Sequence, residues 1–242
     1  MHYTIITGGS RGLGAAFVRA FTDKNHRVYA ISRSKPADPC EWIEADLSDA
    51  EQTENSMNQV FETVEPGDLS SLVLINNAGV LGPIGQIEQA DRSQITTNLS
   101  TNLNAPAILT SRFIEQSQQL AIPKWILNIT SGAASNPYDG WSLYCAAKAG
   151  LDLFTRCVAK EQARAEHPVS IVNINPGVMD TRMQALIRKS SEDQFPTLQR
   201  FLNLYEENQL TPPETIANEV IKALEQGSLV SGSTYKVADW LQ

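Results

Sequence analysis

Hydrophobic positions along the chain switch repeatedly between two periods. Tyr3 to Ile6 is a short apolar stretch that predicts a strand, and a glycine-rich turn follows it. Leu13, Ala16, Phe17, Ala20 and Phe21 then recur at the spacing of one buried helical face. Arg27 to Ile31 predicts a second strand and Trp42 to Ala45 a third. Asp46-Leu47-Ser48-Asp49 offers caps for a helix over Ala50 to Val64. Leu72-Val73-Leu74-Ile75 shows no alternation, as expected of a strand covered on both faces in a parallel sheet. Long helices are predicted over Asp91 to Leu120 and Ser142 to Ala165, with a fifth strand from Trp125 to Thr130 between them. Val169 to Ile174 is a sixth strand, stopped by Asn175-Pro176-Gly177. Pro212-Pro213-Glu214 opens a helix to about Glu225, and Thr234 to Val237 is the last strand. This alternation predicts one α/β domain over residues 1–242, a single doubly wound parallel sheet with helices on both faces. Residues 178–210 are polar and weakly periodic, yet contain Met183, Leu186, Ile187, Phe195 and Phe201. They read either as a lid over a substrate or as a pair of surface helices.

Composition narrows the function. The chain has 242 residues, of which 14 are Gly and 12 Pro, so it is long enough for a real core and carries no disordered or collagen-like bias. With 19 Lys plus Arg against 27 Asp plus Glu, its net charge is −8, which disfavours a broad nucleic-acid contact surface. Apolar runs are strand-sized and Met1 is followed by no cationic start or long apolar stretch, so neither secretion nor membrane insertion is expected. Cys40, Cys145 and Cys157 form no C-x-x-C spacing and are odd in number, which points to a reducing cytoplasm. His2, His26 and His167 show neither metal spacing nor a Ser-His-Asp context, so no metal and no hydrolase chemistry is expected.

The candidate chemistry lies at the predicted carboxyl ends of the strands. Thr7-Gly8-Gly9-Ser10-Arg11-Gly12-Leu13-Gly14 sits at the first strand-to-helix turn, where glycines let a backbone approach a pyrophosphate. A tight turn without a ligand gives the same pattern. The second strand ends Ile31-Ser32-Arg33, with no carboxylate for ribose hydroxyls; Arg33 and Arg11 suit a 2′-phosphate, so NADPH is expected rather than NADH. Asn76-Asn77-Ala78-Gly79 follows the fourth strand on the same rim, thin enough for a nucleotide to lie against it. Tyr144 and Lys148 share one helical face, and Ser131 lies just past the fifth strand where it can meet Tyr144. A neighbouring ammonium would lower the phenol pKa from its ordinary value of about 10, letting Tyr144 exchange a proton with a carbonyl oxygen. Tyr138 and Trp141, between the Ser and the Tyr, either sandwich a flat aryl ketone or serve as core packing. Cys145 has no His near it in sequence, so no thiol chemistry is expected there.

Taken together and in order, Thr7-Gly8-x-x-x-Gly12-x-Gly14, Asn76-Asn77-Ala78-Gly79, Asn102, Ser131, Tyr144-x-x-x-Lys148 and Pro176-Gly177 resemble the Rossmann-like short-chain dehydrogenase/reductase family over nearly the whole chain. The resemblance implies that Tyr144 is the general acid in reduction, Lys148 holds the nicotinamide ribose, Ser131 orients the carbonyl, and Asn102 rather than Asn98 holds a proton-relaying water. It also implies cofactor contacts at Leu13, Pro176, Gly177, Val178 and Thr181, an adenine contact by Asp46 with Leu47, and a homodimer or homotetramer. Ile129 to Ala134, Gly140 to Cys145 and Pro176 to Thr181 are similar to the benzil reductase and sepiapterin reductase branch. This implies an NADPH-dependent carbonyl reductase acting on a ketone or vicinal diketone. The alternatives are an NAD-dependent alcohol dehydrogenase of the same family and a non-catalytic NADP-sensing protein. Sepiapterin reductases anchor the pterin with an Asp near the C-terminus; aligned on Ser231-Gly232 that place falls on Lys236, although a shifted alignment brings in Asp239.

Overall fold

The computed structural model describes residues 1–65, 67 and 69–241. Seven parallel strands lie in the order β3-β2-β1-β4-β5-β6-β7. They are β1 (His2–Thr7), β2 (Arg27–Ser32), β3 (Glu41–Glu44), β4 (Ser71–Asn76), β5 (Lys124–Ile129), β6 (Ser170–Asn175) and β7 (Thr234–Lys236). The helices are α1 (Gly12–Asp23), α2 (Ala50–Glu62), α3 (Arg92–Leu99), α4 (Ala105–Ser117), α5 (Ser142–Gln162), α6 (Arg182–Ile187), α7 (Leu198–Glu206) and α8 (Pro213–Glu225). The doubly wound α/β expectation holds, with strand ends displaced by a residue or two.

The run at β4 shows why its residues do not alternate. Val73 and Ile75 belong to a core with Phe17 and Phe21 of α1 and Val220 of α8, whereas Leu72 and Leu74 join a second core with Met57 of α2 and Phe113 of α4. Both faces of the strand are therefore apolar by necessity. The sheet centre also holds a buried polar chain. Asn76 Nδ2 donates to Asn128 Oδ1 at 2.8 Å, Asn128 Nδ2 to Thr155 Oγ1 at 2.8 Å, and Thr155 Oγ1 to Asn173 Oδ1 at 2.7 Å. It ties β4, β5 and β6 to α5.

The helix expected over Asp91 to Leu120 is interrupted. Asp91 caps α3 by accepting from Gln94 N, and the chain then widens into a π turn over Ser100–Asn104 before α4 begins. Pro106 lacks the N–H that would close an α-helical bond on the Asn102 carbonyl, so the helical register cannot continue unchanged. The helix expected to reach Ala165 ends at Gln162. Residues 178–210 contain α6 and α7, and Phe195 between them is fully buried. No helix among the described residues is long and apolar enough to cross a membrane.

Candidate active site

The strand order reverses between β1 and β4, so the loops that follow these two strands part at the sheet's carboxyl edge and leave a crevice. The β1 loop is held thin. Gly8 has φ +68°, and a Cβ there would lie 3.0 Å from Ala78 Cα. Thr7 and Asn77 lash the two loops together: Asn77 N and Ala78 N donate to Thr7 Oγ1 at 2.9 and 3.0 Å, and Asn77 Nδ2 donates to Thr7 O at 2.9 Å. Gly14 serves packing, because a Cβ would meet Gly8 O at 2.1 Å. Arg11, at the N-cap of α1, makes no side-chain bond to the helix's first amides.

A cavity of about 1540 Å³ occupies this edge. At the β2 and β3 end it is lined by Arg11, Arg33, Asp46 and Leu47, and near the switch point by Gly8, Ser10, Gly12 and Leu13. Asn77, Ala78 and Gly79 also line it, and Pro176, Gly177, Val178 and Thr181 come in from the β6 loop. Arg33 Nη1 stands 3.8 Å from Asp46 Oδ2, both side chains well exposed. Asp46 accepts from Ser48 N and Ser48 Oγ at 3.0 and 2.8 Å, and these bonds hold its carboxyl below the usual range. Its charge is thus largely satisfied locally, and Arg33 keeps donors for another anion.

Beyond the switch point the cavity is lined by Ser131, Tyr144 and Lys148. Ser131 lies two residues past the end of β5 and caps a short 3-10 turn, accepting from Ala133 N at 3.2 Å. Tyr144 sits in the first turn of α5 and Lys148 one turn later; both are buried. Lys148 Nζ donates to Ile129 O at 2.8 Å and lies 5.7 Å from the Tyr144 ring centroid. Burial pushes the Tyr144 phenol up to about 12, against a smaller downward pull from Ser131. Burial also pushes Lys148 down to about 8. The expected lowering of the phenol by the ammonium is therefore not found in this structure: desolvation raises the phenol, and the pull that opposes it comes from Ser131. A raised phenol stays protonated at neutral pH, which is the form that gives up a proton.

Asn102 is fully buried behind this set. Its amide brackets Val80, accepting from Val80 N at 3.0 Å and donating to Val80 O at 2.7 Å. Asn98, the asparagine one turn earlier, accepts from Asn102 Nδ2 at 3.0 Å and donates to Gly82 O at 2.7 Å. Asn98 thus positions Asn102, a coupling the sequence reading treated as a choice between them.

The far end is aromatic. Trp141 stacks on Phe195 at 4.5 Å and 6°, meets Tyr144 edge-on at 5.9 Å, and contacts Tyr138 and Phe201 at 5.0 and 5.4 Å. Tyr138, Trp141, Arg200, Phe201 and Lys236 line the cavity. The packing alternative is found for Trp141 and Tyr138, which pack against each other and against Phe201, and both residues also line the cavity.

The pattern described as "short chain dehydrogenase" matches residues 2–192. The chain belongs to this family. Among curated relatives it is 39% identical to benzil reductase ((S)-benzoin forming) of Bacillus cereus, covering 98% of this chain and 99% of that one. It is 38% identical to the benzil reductase of Bacillus subtilis (strain 168) over the full length of both. Identity to the sepiapterin reductase of Rattus norvegicus is 30%, over 95% of this chain and 93% of that one. Of solved structures, the KRED1-Pglu enzyme superposes with a TM-score of 0.83 at 28% identity, covering 97% of this chain and all of the other.

As a short-chain dehydrogenase the protein is an oxidoreductase of the C=O/CH–OH pair that works with a nicotinamide cofactor. The thin β1 loop and a cavity continuous past Lys148 to Tyr144 fit such a dinucleotide. Arg200 is not anticipated from sequence, Phe195 only as one of the apolar residues of the 178–210 stretch, and Asn98 only as the alternative to Asn102. Phe195 and Arg200 fall in the weakly periodic stretch, where no motif marks them; Asn98 carried a signal in its i, i+4 spacing to Asn102.

Proposed function

We propose that this short-chain dehydrogenase is an NADPH-dependent reductase of aryl ketones and vicinal diketones. The observation that carries the reading is that Ser131, Tyr144 and Lys148 line one cavity whose opposite ends are a pair of arginines and a cluster of aromatic rings. The nicotinamide cofactor, when bound, supplies the hydride. Gly8, Ser10, Gly12, Leu13 and Gly14 shape the phosphate loop, Arg11 and Arg33 take the 2′-phosphate, and Asp46 with Leu47 face the adenine. Asn77-Ala78-Gly79 and Pro176-Gly177-Val178 with Thr181 hold the nicotinamide half, and Lys148 fixes its ribose. Ser131 and Tyr144 bind the carbonyl oxygen, and Tyr144 delivers the proton as negative charge develops there. Asn102, held by Asn98 and Val80, supports the proton path behind Lys148. Tyr138 and Trp141 press the aryl group, and residues 178–210 form the lid.

A diketone is favoured over a pterin because Lys236, a cation, lines the cavity at the end of β7, whereas Asp239 lies in the following 3-10 turn and outside that lining. Full-length identity to two benzil reductases supports the same choice. Three free cysteines fit a reducing cytoplasm. An exposed Leu153 on α5 fits pairing of subunits through that helix.

Following NADPH consumption with benzil, beside Tyr144→Phe, tests the function. Turnover is expected for the wild type, with a loss of at least about 100-fold in the variant. Tight NADPH binding with no turnover of any diketone or aryl ketone would overturn the reading and leave the sensing alternative.

A further inference from the structure

The chain has a net charge of −8, yet the aromatic end of its cavity is cationic. Arg200 and Lys236 line that end, and both are exposed, so a molecule in the cavity can reach them. Among the described residues the only acids lining the cavity are Asp46 and Asp180. Asp46 follows β3 at the opposite end, and Asp180 stands on the α1 side beside Gly12, with which it also lines a second, smaller cavity. Neither Arg200 nor Lys236 forms an ion pair among the described residues.

Local structure explains both placements. Thr197 at the N-cap of α7, then Arg200 and Phe201, follow at i, i+3 and i+4, so they share one side of the helix, and all three line the cavity. Arg200 Nη1 donates to Tyr138 Oη at 3.3 Å; Tyr138 packs on Trp141, which meets Tyr144 edge-on. One N–H of the guanidinium fork is thus used on a neutral phenol, and the others stay available two aromatic rings away from Tyr144. On β7, alternation sends Thr234 and Lys236 to the face that α5 covers and Tyr235 to the other. Asp152 of α5 accepts from Thr234 Oγ1 at 2.7 Å and from Asn173 Nδ2 at 3.1 Å, and pairs with Arg156 at 3.2 Å. Both its oxygens are engaged, so it fixes β7 without neutralising Lys236. Lys236 lies in register with Asn175, whose amide stands beside Gly132, the residue after Ser131.

We infer that the ketone reduced here carries a carboxylate remote from the reacting carbonyl, and that Arg200 pairs with it while Lys236 adds to the attracting field. The inference rests on the proposed function and names the substrate class within it. A guanidinium presents N–H groups in a fixed fork that matches the two oxygens of a carboxylate. Unpaired cations in a cleft walled by aromatic rings also draw an anion before contact, because low-dielectric walls focus the field. Tyr138 and Trp141 lie between Arg200 and Tyr144, so an aryl group along these rings has its carbonyl at Tyr144 and its far substituent toward Arg200. The carboxylate takes no part in hydride or proton transfer; it selects and orients the substrate.

4-Carboxybenzil and its methyl ester, which differ in charge at the far substituent, make the test. With saturating NADPH, the ratio of kcat/KM for the acid to that for the ester is expected to fall about fivefold in Arg200→Gln and about tenfold when Lys236→Gln is added. The ester's greater electrophilicity is the same in every variant and cancels, as does any general effect of losing the Tyr138 contact. A ratio within about twofold of wild type in the double variant would overturn the inference. A second measurement needs no variant: between about 0.05 and about 0.5 M NaCl the screening length shrinks from about 14 to about 4 Å, and the wild-type ratio is expected to fall about twofold or more. A ratio independent of salt would overturn the inference too. Failure to reduce benzil, the acid and the ester alike would instead overturn the proposed function, so the two failures are distinguishable.

Discussion

Gly140 joins the two halves of the aromatic end, and replacing it with alanine should separate them. It has φ +82°, and a Cβ there would lie 2.2 Å from the Gln194 carbonyl oxygen, a backbone atom with no side-chain freedom to give way. The left-handed conformation costs an alanine about 1–2 kcal/mol. Restoring ordinary contact requires the loop and residue 194 to part by about 1 Å, and Phe195 is the next residue. Its stack on Trp141, at 4.5 Å, then loosens, with a loss of about 0.5–1.5 kcal/mol. The combined destabilisation is about 2–3 kcal/mol, or roughly a 5–10 °C fall in Tm for a chain of this size. Urea unfolding measures the first quantity and a thermal scan the second. Steady-state kinetics adds a functional arm: the ketone KM should rise while the NADPH KM stays within about twofold, because the β2 end of the cavity is untouched. A Gly140→Ala protein within about 0.5 kcal/mol of wild type, with an unchanged ketone KM, would refute the claim that this glycine couples the substrate loop to residues 178–210.

Arg33→Ser should raise the NADPH KM by about tenfold and leave that of NADH unchanged; this is the low end for a charge-assisted bond because the guanidinium is exposed. Equal effects on both cofactors would remove Arg33 from 2′-phosphate recognition. Thr155→Val, nearly isosteric, strips the partner from both Asn128 Nδ2 and Asn173 Oδ1, and should cost about 2–5 kcal/mol in urea unfolding; a loss under about 1 kcal/mol would show the chain re-pairs without it. Lys148 has a folded pKa of about 8, below its unfolded value, so the folded state carries the burden of an ammonium at pH 7 and sheds it as pH rises through 8 toward 10.5. The stability of wild type minus that of Lys148→Met should therefore increase across that interval and be flat below it; a difference that falls with pH would reverse the assignment. Tyr144 is present in both proteins, so its own titration cancels.

How much of this could be read from the chain depended on whether a feature was periodic, punctuated or neither. The strands were legible because a sheet covered on both faces demands continuous apolar runs, and β1 and β4 contain them. The break between α3 and α4 was legible in principle. Pro106 stands inside the stretch that reads as one helix, and its missing N–H forbids an unbroken α register, but the apolar spacing on either side masked it. The buried chain from Asn76 to Asn173 had no such signal. Polar residues inside strands look solvent-facing in a linear pattern, and only the pairing of β4 with β5 and of β5 with β6 places Asn76, Asn128 and Asn173 side by side.

The site divides along the same line. Residues fixed by backbone requirements at the sheet edge, such as Gly8, Asn77, Ser131, Tyr144 and Lys148, lie at strand ends or one turn apart on a helix, so their spacing survives in the sequence. Phe195 and Arg200 do not, because their positions are set by what they pack against. Phe195 is buried by Trp141, and Arg200 Nη1 donates to Tyr138 Oη at 3.3 Å, each contact spanning more than fifty residues of chain. The phenol pKa failed in the instructive direction. Proximity of a lysine in sequence predicts attraction between charges, but both groups are buried together, and desolvation raises Tyr144 while lowering Lys148. Burial thus favours the neutral form of both groups, and a phenol held at about 12 gives up its proton only to a strongly basic acceptor such as a developing alkoxide.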